Sequence, residues 1–323
     1  MSMKLNEVKK RILPISESVK KGFESEAKIT DFEILKSLAS DENGHLILVR
    51  HKETKTEYAI KAFDKRTDFN MSAFHDKIEE IYKVHHKNIV KLFGHFEDNN
   101  YCYFIMEYIS KGNLTELLPK DKKKRLSTKI CSFIIRDVIS SIYYLHHMNP
   151  PIIIDYIKLE NIFISDNLCA KLANLGWSNF IKIDFGRKAL KNFTDNLPPE
   201  IIKGKQYDEA DNIWCIGVLL YEMLTSVLPF EGRYFDSLLH NILNLKINWP
   251  KDIDTDAKDL IEKILKIDPK ERLSLEEMMK HPFITKFTPN ADKLLIKPLE
   301  GIKYEPFIIS KDNPKTWIPK EIK

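Results

Sequence analysis

The order of apolar and polar positions divides the chain into a strand-rich part followed by a helix-rich part. Short runs with alternating or continuous apolar residues predict strands over residues 31–38, 45–51 and 57–63. A helical pattern follows over residues 72–84, and two further strands are predicted before Met106. This order predicts a small lobe made of a sheet and one helix.

The rest of the pattern is helical. Residues 131–147 carry apolar side chains on one face, which is typical of a helix that packs on a core. Residues 213–224 are apolar nearly all round, which indicates a helix buried in the middle of a larger lobe. Further helices are predicted over residues 238–245, 255–267 and 274–281.

Two extensions flank these lobes. The first is basic and amphipathic, with apolar residues at roughly helical spacing up to Pro14. The last part alternates prolines with apolar residues, which predicts an extended tail that lies over a surface. The predicted division is an N-terminal extension at 1–26, a small lobe at 27–107, a large lobe at 108–287 and a tail at 288–323.

The composition is that of a soluble globular protein, with 43% hydrophobic and 30% charged residues and a net charge of +4. The four cysteines are scattered without a CxxC pair, so neither a disulfide framework nor a structural metal site is predicted, and a reducing compartment is expected. The first residues lack the apolar core of a secretory signal, and the apolar runs are too short to span a bilayer. We therefore expect no membrane partner, no nucleic-acid partner and no bound metal.

Several motifs occur in a fixed order along the chain. They are Tyr-Ala-Ile-Lys at 58–61, Lys-Leu-Glu-Asn at 158–161, Lys-Leu-Ala-Asn-Leu-Gly-Trp-Ser at 171–178 and Asn-Leu-Pro-Pro-Glu at 196–200. As an ordered set, these motifs resemble protein kinases over about residues 30–287, and the Aurora branch in particular.

The resemblance implies an α+β, bilobal protein-kinase fold with a β-rich N-lobe and a helical C-lobe. The family activity would be that of a protein Ser/Thr kinase that uses ATP and Mg²⁺. By the same resemblance, Arg272 is the buried partner of Glu200 in the large lobe. The positions that would form the remnant of a nucleotide site are Ala59, Lys61, Glu107, Ile109 and Asn161.

Phosphoryl transfer requires that phosphates are cradled, a metal is held and a hydroxyl is positioned. Glycines let backbone N–H groups approach phosphates, yet only Gly44 remains in the matching stretch at 39–44. Asp41 and Glu42 bring negative charge to this loop, where it would repel phosphates. The loop therefore argues against ATP binding.

The two essential carboxylates are also replaced. The family's base lies two residues before Lys158, where this chain has Tyr156, and a phenol with a pKa of about 10 is a poor proton acceptor. The metal ligand lies thirteen residues after Asn161, where this chain has Asn174. An amide carries no charge, whereas Mg²⁺ prefers carboxylate oxygens. Asp155 is the candidate that could rescue the base.

The partner of Lys61 changes as well. Counting along the predicted helix puts Lys77 where the family has a glutamate, and Glu79 or Glu80 could serve only in a different helix register. The sequence Asp-Phe-Gly at 184–186 spells the family's metal motif, but it begins ten residues late, and we interpret it as a coincidence.

The internal stack of side chains that links the lobes in this family is apolar throughout here. Apolar side chains add burial and would fix the lobes in one arrangement. Asn212 stands where the central helix of the family has an aspartate. The residues of the stack are Ile81, Leu92, Ile154 and Leu175.

The leading hypothesis is a pseudokinase, a catalytically silent scaffold or allosteric module that uses neither ATP nor Mg²⁺ as a cofactor. We expect protein partners on the N-lobe surface and on the 288–323 tail. By resemblance only, these belong to a microtubule-associated assembly (spindle, centrosome or cilium) in the cytoplasm, with the nucleus left open. The alternatives are a divergent active Ser/Thr kinase using Lys61, Asp155 and Asn161, with Asp184 as a further candidate, and an ATP-binding sensor using Lys61 and residues 107–109.

Overall fold

The small lobe is an antiparallel sheet in the strand order β1-β2-β3-β5-β4. The computed structural model describes residues 27–41, 44–66, 78, 80–118, 125–154, 157–173, 197–205 and 208–298. The sheet confirms the predicted strands, and β1 and β2 run further toward each other than the pattern indicated. The strands are β1 (Phe32–Asp41), β2 (Gly44–His51), β3 (Glu57–Asp64), β4 (Leu92–Glu97) and β5 (Tyr101–Glu107).

Aromatic and β-branched side chains stabilise this sheet. Ile47 and Val49 on β2 are fully buried in a cluster that covers one face of the sheet. Phe96 and Tyr103, paired across β4 and β5, stack with ring centroids 4.6 Å apart. Such cross-strand pairs fit the pleated surface well, which explains why this segment forms strands.

The predicted helix at residues 72–84 is described only in its last turn. Ile78, Ile81 and Tyr82 are helical and buried, and they belong to the core cluster that continues into the large lobe. Residues 71–77 and 79 lie outside the described residues, so the position of Lys77 stays a prediction.

The large lobe is helical. Its small hairpin consists of β6 (Ile162–Ile164) and β7 (Ala170–Leu172). The helices among the described residues are α1 (Leu114–Leu117), α2 (Thr128–His146), α3 (Pro199–Ile202), α4 (Glu209–Thr225), α5 (Phe235–Leu243), α6 (Thr255–Ile264), α7 (Leu275–Lys280) and α8 (Pro282–Thr285).

Helix α4 is the centre of the large lobe. Asp208 caps its N-terminus, because the side chain accepts a hydrogen bond from the Ala210 N–H at 2.8 Å. Trp214 and Leu219 are fully buried, as the nearly uniform apolar pattern predicted. Gly217 permits close packing, since a Cβ there would lie 2.7 Å from the Ile264 side chain on α6. The helix therefore forms a rigid support for the loops that cross its N-terminal end.

The α+β, bilobal fold expected from the resemblance is confirmed: a five-stranded antiparallel sheet precedes a helical lobe. Within the described residues, no helix is long and apolar enough to cross a bilayer. Of the terminal extensions, residues 1–26 and 299–323 lie outside the described residues, and their predicted roles stay predictions. The beginning of the tail is described: Ala291 is fully buried, and the Ser140 hydroxyl on α2 donates to the Leu294 carbonyl at 2.9 Å.

Candidate functional site

The hairpin between β1 and β2 stands where phosphates would be cradled. The ladder continues to the pair Asp41 and Gly44, so only residues 42–43, which lie outside the described residues, connect the strands. Gly44 has a steric reason to be glycine, since a Cβ there would lie 1.9 Å from the Ala62 carbonyl oxygen. The Ser40 hydroxyl lies 2.6 Å from Nδ1 of His45 across the same hairpin. The one remaining glycine is thus explained by contact with β3.

Lys61 lies in the middle of β3. It pairs with Leu46 on β2 and with Phe104 on β5, and its side chain is half-buried. Its ammonium nitrogen lies 5.3 Å from the ring centroid of Phe63 on the same strand. The cation is therefore held beside an aromatic face, a contact that stabilises a lysine by roughly 0.5–1 kcal/mol when exposed.

The segment that connects the lobes begins at the end of β5. Ala59 is buried and pairs with Met106, the residue before Glu107. The Glu107 carboxylate accepts a hydrogen bond from Lys171 on β7 at 2.9 Å, so its charge is used in an ion pair between the lobes. Ile109 is buried. The hinge positions predicted from the sequence are therefore adjacent to one another in space.

The loop at Ile154 is tied to α4 by the amide of Asn212. The amide nitrogen donates to the Ile154 carbonyl at 2.5 Å, and the amide oxygen accepts from the Ile154 N–H at 3.3 Å. The same oxygen lies 2.9 Å from Nε2 of His146 at the end of α2. Asn212 and Ile154 are fully buried. The amide thus binds both polar groups of one residue, and we refer to this contact as the Asn212 clamp.

A carboxylate could not make the same set of contacts, because an ionised aspartate accepts hydrogen bonds but donates none. It would leave the Ile154 carbonyl facing a negative oxygen. Burial lowers the pKa of His146, although its contact with Asn212 acts in the opposite direction. The contact between Asn212 and Ile154 itself contains no ionisable group. Asp155 and Tyr156, which follow Ile154 directly in the sequence, lie outside the described residues.

Asn161 ends a short 3-10 helix just before the β6–β7 hairpin. Its carbonyl accepts a hydrogen bond from the Ala173 N–H at 2.8 Å, which closes the hairpin and brings its two ends together. Lys158 forms an ion pair with Glu160 in the same turn. The residue after Ala173 is Asn174, which lies outside the described residues, so its role as a metal position stays a prediction.

The structure brings three members of the predicted apolar stack into one core. Ile81, Leu92 and Ile154 all belong to the cluster that joins the small and large lobes, with Ile81 and Ile154 buried and Leu92 half-buried. The fourth member, Leu175, lies outside the described residues. The three described side chains place apolar atoms between the lobes.

Glu200 and Arg272 form a buried ion pair. Nη1 and Nη2 of Arg272 donate to the two carboxylate oxygens at 2.6 and 2.7 Å, the bidentate geometry that suits a guanidinium. Nη1 also donates to the Ala210 carbonyl on α4 at 2.7 Å, and the guanidinium lies 5.2 Å from the ring centroid of Trp214. Although burial alone would raise the pKa of Glu200, hydrogen bonds and charge from Arg272 hold it below its usual value.

Sequence reasoning missed Asp211, which lies next to this pair. The residue is fully buried, and its Oδ2 accepts a hydrogen bond from the Asp208 N–H at 2.5 Å. Oδ1 has no hydrogen-bond partner in the part of the chain that the structure describes. Burial, together with the nearby charge of Glu200, raises the pKa of Asp211 to about 8. The only signal in the sequence was an acidic residue at the start of an otherwise apolar helix.

No group of three or more metal-binding side chains (His, Cys, Asp or Glu) occurs within the described residues. The predicted metal position, Asn174, falls outside them. A single amide oxygen such as that of Asn161 is a weak ligand for a hard cation, which usually takes several carboxylate oxygens. The described residues therefore offer no complete set of ligands.

Comparison with known proteins gives one consistent relationship. Residues 25–284 match the family described as protein kinase domain. The chain is 34% identical to an Aurora kinase of Eremothecium gossypii over 265 residues, which is 81% of this chain and 71% of the relative. It is 34% identical to an Aurora kinase of Saccharomyces cerevisiae over 81% of this chain and 71% of the relative. Aurora kinase C of Mus musculus is 33% identical, over 79% of this chain and 92% of the relative.

Proposed function

The chain belongs to the protein kinase domain family and is Aurora-like, and from this premise we propose that it is a pseudokinase. In this proposal it acts as a scaffold or allosteric protein-binding module and does not transfer phosphate. The observation that carries the proposal is the replacement of both essential carboxylates, by Tyr156 at the base position and by Asn174 at the metal position. Without them, neither the hydroxyl nor the metal of phosphoryl transfer is held.

The contacts around the loop support this assignment. The Asn212 clamp fixes the loop through neutral groups, with both polar groups of Ile154 bound. The hydrogen bond from the Ala173 N–H to the Asn161 carbonyl fixes the end of the β6–β7 hairpin. Asn174 is the next residue, so this contact supports the residue count that assigns the metal position to Asn174. The loop is thus held by contacts that need no carboxylate at these places.

The described part of the small lobe points the same way. Asp41 ends β1 at the hairpin where phosphates would lie, and its charge would oppose theirs. Negative charge near a phosphate weakens binding most where water is partly excluded, because the effective dielectric constant is lower there. The proposal therefore includes weak or no binding of ATP.

A second candidate is an ATP-binding sensor without phosphotransfer. The observation that favours it is the preserved hinge region, where Ala59 is buried opposite Met106 and Lys61 remains on β3. These residues could hold an adenine and one phosphate without a metal. The two candidates differ in a single property, which is whether the chain binds ATP.

The experiment is isothermal titration calorimetry of the full chain with ATP, with and without Mg²⁺, using Lys61→Ala as the control variant. The pseudokinase scaffold predicts no heat of binding in either condition. Heat that does not depend on Mg²⁺ and disappears in Lys61→Ala would favour the sensor. Heat that requires Mg²⁺ would contradict the loss of the metal site and support a divergent active kinase.

The partners in this proposal are proteins bound by the small-lobe surface and by the tail at 288–323. By resemblance alone, we place them in a microtubule-associated assembly in the cytoplasm. The direct test is capture of binding partners by the full chain compared with a chain lacking residues 299–323. Equal capture by both would exclude residues 299–323 of the tail as a binding segment.

A further inference from the structure

Five lysines lie on segments of the small lobe, strand β7 and the beginning of the tail that the backbone brings close together. We call this group the basic patch and propose that it binds an acidic segment of a partner protein, rich in aspartate and glutamate. The proposal goes beyond the pseudokinase assignment because it does not depend on the state of the nucleotide cleft. The basic patch consists of Lys83, Lys87, Lys91, Lys171 and Lys293.

The backbone brings the first four lysines together. Strand β7 runs beside residues 88–90, with the Leu172 N–H donating to the Asn88 carbonyl and the Val90 N–H donating to the Leu172 carbonyl, both at 2.8 Å. Lys171 therefore lies beside the segment that begins at Lys87 and ends at Lys91. Nδ1 of His85 lies 3.0 Å from the Lys83 carbonyl, which keeps that turn compact.

The tail adds the fifth lysine. The Ser140 hydroxyl on α2 lies 2.9 Å from the Leu294 carbonyl and 3.2 Å from Nε2 of His86. One side chain thus joins the tail to the residue before Lys87. Lys293, next to Leu294, and Lys87 are both exposed. The backbone segments that carry these two exposed lysines therefore approach each other.

In the described segments that carry the basic patch, lysines outnumber carboxylates. Oε2 of Glu107 lies 2.9 Å from the Lys171 ammonium and 3.3 Å from the Lys91 backbone nitrogen. One carboxylate therefore contacts both half-buried lysine residues of the patch. In the segments 83–91, 170–172 and 291–297, the one acidic residue is Asp292. Burial lowers the pKa of Lys91; the negative charge of Glu107 opposes this effect, and the positive charge of Lys171 adds to it more weakly. Incoming carboxylates would reduce the repulsion among these cations.

The side chains present favour a polypeptide over a nucleic acid. The cations are all lysines, whereas guanidinium groups are the ones that bind phosphate in a bidentate manner. The same segments contain no Phe, Tyr or Trp on which a base could stack. Ile296 is 50% exposed beside Lys293, and it offers an apolar contact for side chains of a peptide. Together, cationic and apolar surface fit an acidic segment that also carries apolar residues.

The test measures binding of a fluorescently labelled poly-glutamate peptide to the full chain by anisotropy, at low and at physiological salt. The variant Lys87→Ala/Lys293→Ala removes two exposed charges from the basic patch. Its matched control, Lys251→Ala/Lys280→Ala, removes two exposed charges from the large lobe. We expect the patch variant to bind about tenfold more weakly than the wild type and the control to bind within about twofold, since the loss depends on local charge.

Three results would overturn the proposal. The first is no binding by the wild type at low salt. The second is equal weakening by the patch variant and the control, which would mean that net charge alone drives binding. The third is tighter binding of a single-stranded oligonucleotide or of phosphatidylserine vesicles than of the peptide. Because neither variant changes a residue of the nucleotide cleft, these outcomes are separate from those of the ATP titration.

Discussion

Two loops are anchored to the N-terminal end of helix α4, and they are anchored by different chemistry. Arg272 holds Glu200 through a bidentate ion pair and also binds the Ala210 carbonyl on the helix. Two residues further along, Asn212 holds Ile154 through a neutral amide. The first contact contains two buried charges and the second contains none.

The difference separates a contact that holds the fold together from residues that would take part in phosphate transfer. The ion pair needs its charges, because Arg272 is matched to one carboxylate and both side chains are buried. The loop at Ile154 belongs to the predicted catalytic region, and in the proposed pseudokinase amide, phenol and aliphatic side chains stand there in place of the family's charged groups. On this proposal, a chain can lose the charges of the catalytic region and keep the same architecture.

The largest effect is expected for Arg272→Ala. The substitution leaves Glu200 buried and without its partner, which typically costs about 3–5 kcal/mol of unfolding free energy. Urea unfolding followed by tryptophan fluorescence measures this loss. The matched control is Arg125→Ala, which removes an exposed ion pair with Asp252 and should leave the midpoint unchanged. Similar midpoints for both variants would show that the buried pair is not an anchor.

A smaller effect is expected for Asn212→Asp. The amide donor to the Ile154 carbonyl is lost and a buried carboxylate faces that oxygen, which we expect to cost about 1–3 kcal/mol at pH 8. The loss should shrink as the pH falls, because a protonated carboxyl can donate to the carbonyl again. Urea unfolding of the variant and the wild type at pH 8 and pH 5 tests this. If the variant were as stable as the wild type at pH 8, the amide donor would not be needed at this position. The contrast between a charged and a neutral anchor on helix α4 would then be wrong.

A further effect, which depends on pH, is expected from Asp211. Because its pKa in the folded chain is raised to about 8, the folded state binds a proton that the unfolded state releases near its ordinary pKa. Stability from this group is therefore complete below the ordinary carboxyl range and is lost as the pH rises toward 8, by at most about 1.4 kcal/mol per pH unit. Asp211→Asn carries no charge and keeps the acceptor for the Asp208 N–H.

This substitution should flatten the stability profile between pH 5 and pH 8 relative to the wild type. The two proteins should be similar at pH 5, and the variant should be the more stable one at pH 8. Unfolding midpoints measured across this range provide the check. Parallel profiles would mean that Asp211 keeps an ordinary pKa in the folded chain, and that neither its burial nor the charge of Glu200 raises it.

Much of the fold could be predicted because periodicity reports burial directly. The short apolar run over β2 and the uniform apolar run of α4 both matched the elements observed. The ends of the elements were less predictable. The pattern did not show that β1 extends to Asp41, because pairing with β2, and not side-chain burial, extends the strand there.

The candidate site was predictable only in part. Motif spacing assigned predicted roles to Lys61, Glu107, Glu200 and Arg272, since the family pattern fixes the distances between these positions along the chain. The Asn212 clamp was not predictable, because a sequence does not show which backbone groups face a side chain. From the sequence, Asn212 indicated only that an amide stands where the family has a charged aspartate. Asp211 was missed for the same reason, because its neighbours come from distant segments. The predictions for Lys77, Asp155, Tyr156, Asn174 and Leu175 fall outside the described residues and stay predictions.

The most direct test of the central claim is transfer of radiolabelled phosphate from ATP by the full chain, with Mg²⁺ and a generic protein substrate. The account predicts that the wild type incorporates no more label than Lys61→Ala, into itself or into the substrate. Label from the wild type that disappears in Lys61→Ala would contradict it, and would show that phosphate transfer occurs without the two carboxylates.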